Sequence, residues 1–191
     1  LGAVVSAFDV RAAAKEQVQS LGATFIEVEA DEDAETSGGY AKETSEDYKR
    51  RQKEKITETL KKADIVITTA LIPGKPAPVL VDEAQVGVMK AGAVIVDLAV
   101  EQGGNCPLSR PGEVVTHGGV SILGHVNWAG RVAGDASALY SKNLLNFLSA
   151  FVETGEGGPK WKLDWEDEIL KGVTLARDGA FTHAAMTGEE G

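Results

Sequence analysis

Short runs of consecutive apolar residues alternate along most of the chain with segments whose apolar positions recur every third or fourth residue. Ala3 to Phe8 is such a run, ending at Asp9, and Arg11 to Leu21, rich in Ala, Gln, Glu and Lys, reads as a helix closed by Gly22. Thr24 to Val28 reads as a second strand. Glu29 to Asp47 is acidic and polar, with Gly38-Gly39-Tyr40 in its middle, and reads as an inserted surface loop. From Ser45 to Lys62 the residues favour helix: Tyr48, Ile56 and Leu60 share a stripe, and Asp47/Arg51 and Glu58/Lys62 are spaced for surface ion pairs. Asp64 to Ala70 reads as a buried strand that must end near Ala70, because Pro73, Pro76 and Pro78 forbid both helix and ladder. Asp82 to Lys90 follows as a short helix and Ala93 to Val100 as another buried strand. A loop from Gln102 to Gly112 leads to short strands at Val114 to Thr116 and Val120 to Leu123.

Continuous apolar strands that alternate with helices predict a parallel sheet covered on both faces, an α/β, doubly wound fold. After His125-Val126-Asn127-Trp128 the pattern changes. Asp135 to Val152 predicts a long helix, apolar over much of its surface and therefore largely buried, and Gly155 to Pro159 breaks the chain. The tail from Lys160 to Gly191 offers one apolar strand, Val173 to Ala176, too little for a domain of its own. The division expected is residues 1–134 as a partial doubly wound domain and residues 135–191 as a helix and tail that complete a neighbouring domain lying upstream.

Composition narrows the function classes. The chain has 191 residues and a formal charge of -10, which repels nucleic acid and anionic lipid. Its apolar runs fall far short of the ~20 residues a membrane-spanning helix needs. The single cysteine, Cys106, excludes an internal disulfide framework. His117, His125, His183 and Cys106 lack the close ligand spacing of zinc sites, so no metal site is expected, and no G-x-S-x-G elbow or P-loop occurs. The opening Leu1-Gly2-Ala3 has no methionine and reads as cut from a longer protein.

An acidic residue at the carboxyl end of a strand in a doubly wound sheet can accept hydrogen bonds from the ribose of an adenine dinucleotide. Asp9 has that position; capping of the helix that follows is the competing reading, and position alone leaves the two open. In the dinucleotide fingerprint the acid follows a G-x-G-x-x-G turn by ~20 residues, which puts that turn and its strand upstream of Leu1. The loops after Ala70 and Val100 would wall the same crevice. Thr68 to Gly74 would bring small side chains and free backbone groups against a ligand, although taken alone it reads better as a rigid turn.

Five separated blocks carry a more specific signal. They are FDVRAAAKEQVQSLGA (Phe8 to Ala23), ETSGGYAKE (Glu35 to Glu43), ITTALIPGKPAPVL (Ile67 to Leu80), VIVDLAVEQGGNCP (Val94 to Pro107) and KNLLNFL (Lys142 to Leu148). In this order they closely resemble the NAD(H)-binding alpha subunits of the proton-translocating NAD(P) transhydrogenases. Alanine dehydrogenases are the wider relatives, similar around Gln102 to Gly104 and less so elsewhere.

The resemblance implies two Rossmann-like domains in the whole subunit, the second binding NAD(H). It implies that Asp9, Val10 and Arg11 lie at the adenosine ribose, that Gly39 and Tyr40 belong to a loop folding over bound nucleotide, and that Thr69, Ala70 and Leu71 line the crevice. The implied reaction is hydride transfer from NADH to NADP+, with NADP(H) held by a partner component and protons moved by a transmembrane domain. A homodimer at the cytoplasmic face of a bacterial inner membrane is implied as well. No catalytic residue is expected among these residues, so the chain alone would lack a complete hydride-transfer site. Two other readings remain: an alanine dehydrogenase type enzyme, against which the GGYAKE insertion argues, and a noncatalytic nucleotide-binding module.

Overall fold

The computed structural model describes residues 2–11, 13–28, 46–72 and 74–188. The chain divides into two compact units, Leu1–Trp128 and Ala129–Gly191.

In the first unit β1 (Ser6–Ala7) and β2 (Thr24–Phe25) form a short parallel ladder joined through α1 (Ala14–Ser20). Both strands are much shorter than the apolar runs predict, and Val4 and Val5 stand exposed beside β1. α2 (Glu46–Leu60) leads into β3 (Ile65–Thr68), and α3 (Glu83–Val86) precedes β4 (Val94–Asp97). β5 (Val114–His117) and β6 (Val120–Leu123) complete a four-stranded sheet in the order β3-β4-β6-β5.

β3, β4 and β6 are parallel, and β5 returns antiparallel to β6. The expected all-parallel sheet is thus mixed. The turn at Gly118-Gly119, both at positive φ, is too short for the crossover that a parallel connection needs, so β5 and β6 make a hairpin. The architecture is nevertheless the α/β, Rossmann-like one, with parallel strands whose carboxyl ends open into loops.

Burial alternates along the strands. Ile95 and Ile122 face one side and are fully buried with Val120, Val86, Met89, Val81, Leu60 and Cys106 in a single core cluster. Burying a side chain of that size contributes roughly 1.5–3 kcal/mol. Ile65 and Ile67 face the other side and remain 66% and 62% exposed, so among the described residues the expected cover on both faces is present on one face only. α2 supplies Leu60 and the partly buried Ile56 to the covered face. α3 is fixed by a capping box between Asp82 and Gln85, and both of those residues also reach α2. Lys53 pairs with Asp82 at 2.6 Å, and Gln85 Nε2 donates to Thr57 Oγ1 at 3.0 Å. On the outer surface of α2 Arg51 pairs with Asp47 as expected, whereas Glu58 takes Lys61, one position earlier than the expected Lys62.

In the second unit α5 (Ala133–Ala150) follows the short α4 (Trp128–Arg131). Its expected burial is not found. Leu139, Tyr140, Leu144, Leu145 and Leu148 are all exposed, and none of its residues is buried. The predicted chain break at Gly155 to Pro159 is a hairpin turn between β7 (Val152–Gly155) and β8 (Gly158–Trp161). Nor is Val173 to Ala176 a strand. α6 (Glu168–Val173), whose first N–H groups are capped by Asp167, runs through Val173. The strand pairing starts only at β9 (Ala176–Arg177), which turns at Asp178-Gly179 into β10 (Ala180–Phe181) before α7 (Ala184–Thr187). Asp178 at φ 52° and Gly179 at φ 82° are an Asp-Gly hairpin turn, the strongest short-range signal in the tail.

Candidate functional site

β1, β3, β4 and β6 release their chains into loops at their carboxyl ends, where ligands of open α/β sheets bind. The residues singled out in the sequence fall into two groups on these loops, with Gly39 and Tyr40 lying outside the described residues.

The first group follows β1. Asp9 stands two residues beyond the end of that strand. Among the described residues its carboxylate is gripped by Arg11 alone: the Arg11 backbone N–H donates to Oδ1 at 2.8 Å, Nε to Oδ1 at 3.0 Å and Nη2 to Oδ2 at 2.7 Å. The Arg11 side-chain hydrogen bond holds the Asp9 carboxyl below the usual carboxylate range, helped by the backbone N–H and opposed by partial burial. Asp9 is not a helix cap, because α1 begins at Ala14 behind Ala13 and takes no side-chain cap. The Arg11 side chain is 72% exposed and Val10 is exposed, so the fork closes on the solvent side.

The second group follows β3. Thr69, Ala70 and Leu71 leave the strand where it would otherwise continue beside β4, and Leu71 is exposed. One expectation is corrected here. The backbone of Ala70 is not free: its N–H donates to Asn105 Oδ1 at 3.0 Å, and its carbonyl accepts from Asn105 Nδ2 at 2.9 Å. The second Nδ2 proton goes to the Pro78 carbonyl at 2.8 Å. The same stretch also holds the far end of the proline loop, since Ala77 N–H donates to Gln102 O and the N–H groups of Leu80 and Val81 donate to Asn105 O.

Beneath this wall lies a buried carboxylate that sequence reasoning does not single out. Asp97, at the end of β4, accepts from the backbone N–H groups of Ala99, Asn105 and Cys106 and from the hydroxyls of Ser109 at 2.6 Å and Thr68 at 3.3 Å. Thr68, Asp97, Asn105 and Cys106 are all buried. A signal for it is present in the sequence: an Asp at the end of an apolar strand, with Gly-Gly-Asn soon after, must find donors if it is buried. After β6, Asn127 N–H donates to Glu101 Oε2 at 3.0 Å, drawing the loops that follow β4 and β6 together.

No hydrogen bond or ion pair joins the Asp9 group to the Thr69–Leu71 group among the described residues. His125 sits edge-on to Trp128, His117 Nε2 lies 3.9 Å from Glu83, and Cys106 is fully buried, its thiol pushed up chiefly by burial. Among the described residues no three His, Cys, Asp or Glu side chains converge as metal ligands, and no helix is long and apolar enough to cross a membrane.

Comparison with known proteins places this geometry in context. The family model for the alanine dehydrogenase/PNT C-terminal domain matches residues 1–184. An NAD(P) transhydrogenase alpha-subunit polypeptide of Rhodospirillum rubrum is 58% identical over 191 residues, covering 99% of this chain and 49% of that protein. The crystal structure of transhydrogenase from Sinorhizobium meliloti superimposes with a TM-score of 0.69 at 48% identity, over 94% of this chain and 46% of that one. L-alanine dehydrogenase gives 0.58 at 25% identity over 76% of this chain and 36% of that one. The chain thus spans about half the length of the transhydrogenase chains it matches.

Proposed function

Because this chain belongs to the alanine dehydrogenase/PNT C-terminal domain family, we propose that it is the NAD(H)-binding half of the alpha subunit of a proton-translocating NAD(P) transhydrogenase. The observation that carries the reading is Asp9: a carboxylate just past the carboxyl end of a parallel strand, not the cap of α1 and, among the described residues, matched only by an exposed arginine.

Two open edges fit the same reading. Among the described residues β1 pairs only with β2, and β3 only with β4. A further parallel strand between β1 and β3 would join the two ladders into one sheet in the Rossmann order, and the turn after it would supply the glycine-rich phosphate loop. The upstream half of the subunit is where that strand and turn would lie.

The residues present suit an adenine dinucleotide. Asp9 would accept from the ribose hydroxyls and disfavour a 2'-phosphate by charge, which requires Arg11 to open or share its fork. Val10 offers an apolar contact beside it. Thr69, Ala70 and Leu71 would line the crevice, and Gly39 and Tyr40 would belong to a loop closing over it. When bound, NADH supplies the hydride that passes to NADP+ on a partner component. That transfer needs no acid or base, so this chain contributes orientation and exclusion of water and no catalytic residue. The NADP(H)-binding component and the transmembrane domain are the proposed partners, with a homodimeric alpha subunit held at the cytoplasmic face of a bacterial inner membrane.

The weaker structural likeness to L-alanine dehydrogenase supports a second reading, in which the same sheet holds NAD but hydride comes from an amino acid. Calorimetric titration of the full-length subunit separates the readings: it should bind NADH in preference to NADPH and ignore alanine. Failure to bind NADH, or equal affinity for both nucleotides, contradicts the proposal.

A further inference from the structure

The carboxamide of Asn105 has one acceptor and two donors, and all three meet main-chain groups: Ala70 N–H, Ala70 C=O and Pro78 C=O. A carboxamide presents the same acceptor and donor as a peptide group. Here it stands beside Ala70 as a neighbouring strand would, just past the last β3–β4 partners, Thr68 and Asp97. One planar group therefore holds both the start and the end of the loop that leaves β3. The backbone of Asn105 is as fully engaged: its N–H donates to both Asp97 oxygens and its carbonyl accepts from Leu80 and Val81. With the residue wholly buried, no water can take the place of these bonds.

We propose that Asn105 is a positioning residue for the coenzyme: its carboxamide fixes the Ala70 peptide groups and so sets the placement of Thr69, Ala70 and Leu71 as a crevice wall. This inference rests on the NAD(H)-binding reading above. Asn105 itself touches no coenzyme, because its acceptor and both donors are spent on main chain.

Asn105→Asp is the discriminating variant. It keeps size and the acceptor for Ala70 N–H, but removes both donors and sets a carboxylate oxygen against two carbonyl oxygens. Protonation of that buried aspartic acid returns one O–H donor, so the defect should be pH-dependent. Thr57→Val removes the acceptor of Gln85 Nε2 between α2 and α3 and leaves the carboxamide untouched.

The experiment uses the full-length subunit and measures NADH affinity by calorimetry and exchange of the Ala70 amide proton by NMR. At neutral pH, Asn105→Asp should speed Ala70 exchange and weaken NADH binding about tenfold. Lowering the pH to about 5 should restore part of that affinity. Thr57→Val should bind NADH as the wild type does. Unchanged NADH affinity in Asn105→Asp, or an equal loss in Thr57→Val, overturns the inference and leaves the binding reading intact; absence of NADH binding in the wild type overturns both. Should Asn105→Asp fail to fold, Asn105→Ser carries the same comparison, and a wild-type Ala70 amide that exchanges like an exposed loop amide overturns the inference by itself.

Discussion

The backbone N–H of Asn105 donates to both carboxylate oxygens of Asp97, at 3.2 and 2.9 Å, and both residues are fully buried. Among the described residues no cation pairs with Asp97, whose carboxyl oxygens accept from N–H and O–H donors of β3 and of the loop that follows β4. That network makes the carboxyl ends of β3 and β4 one rigid piece, and on it the proposed crevice wall is built.

Replacing Asp97 by Asn should therefore cost more than one hydrogen bond. The amide nitrogen would face donors in place of an acceptor, leaving buried N–H and O–H groups unmatched at about 1–3 kcal/mol each. Urea denaturation should show a loss of at least about 3 kcal/mol, whereas a loss below about 1 kcal/mol would mean the network relaxes around the change.

Gly104 has φ +82°, and a Cβ there would lie 2.8 Å from Asp97 Oδ2 and 3.3 Å from Cys106 O. Gly104→Ala combines this clash with a left-handed backbone and should destabilise by about 1–3 kcal/mol. Gly172, within α6, meets nothing within 4 Å and has no positive φ. Gly172→Ala should stabilise by about 0.5–1 kcal/mol. Thermal melting of the two variants should move in opposite directions.

The Cys106 thiol is fully buried, and burial holds its proton above the ordinary value of 9.0. The folded state disfavours the thiolate, so this group's contribution to stability is complete below pH 9.0 and is lost as the pH rises past it. A thiol reagent at pH 8 should leave Cys106 unlabelled in the folded protein and label it fully in denaturant. Rapid labelling of the folded protein would show that the loop after β4 opens readily.

Asp9 behaves in the opposite sense. Arg11 lowers its pKa below the ordinary 3.8, so its contribution to stability is complete above that value and is lost as pH falls through the lower folded value. The carboxylate is thus ionised at every pH where a coenzyme would be bound. Asp9→Asn should weaken NADH binding and improve NADPH binding, with no change in either effect between pH 6 and 8. Unchanged affinities would return Asp9 to a purely local role with Arg11.

Much of the fold is legible from the sequence because the relevant signals are local. The order of strands and helices, the stop imposed by the prolines and the position of Asp9 at a strand end all follow from neighbours along the chain. The hidden features depend on distant partners. Asn105 and Ala70 are far apart in sequence, and no periodicity marks a side chain that imitates a peptide group. The direction of β5 is hidden too, because a short apolar run does not reveal it. The turns at Glu156-Gly157 and Asp178-Gly179 carry hairpin signals, but the strands beside them are too short to stand out by pattern. The apolar surface of α5 predicts burial, and the helix is instead exposed along most of its length.

The most direct test is a crystal structure of the full-length subunit with NADH bound. The adenosine ribose hydroxyls should lie within about 2.6–3.2 Å of the Asp9 carboxylate oxygens, with Arg11 swung off at least one of them and Thr69 to Leu71 against the coenzyme. A coenzyme seated elsewhere, or one bound while Arg11 still holds both Asp9 oxygens and the ribose lies beyond their reach, would contradict the proposed role of Asp9.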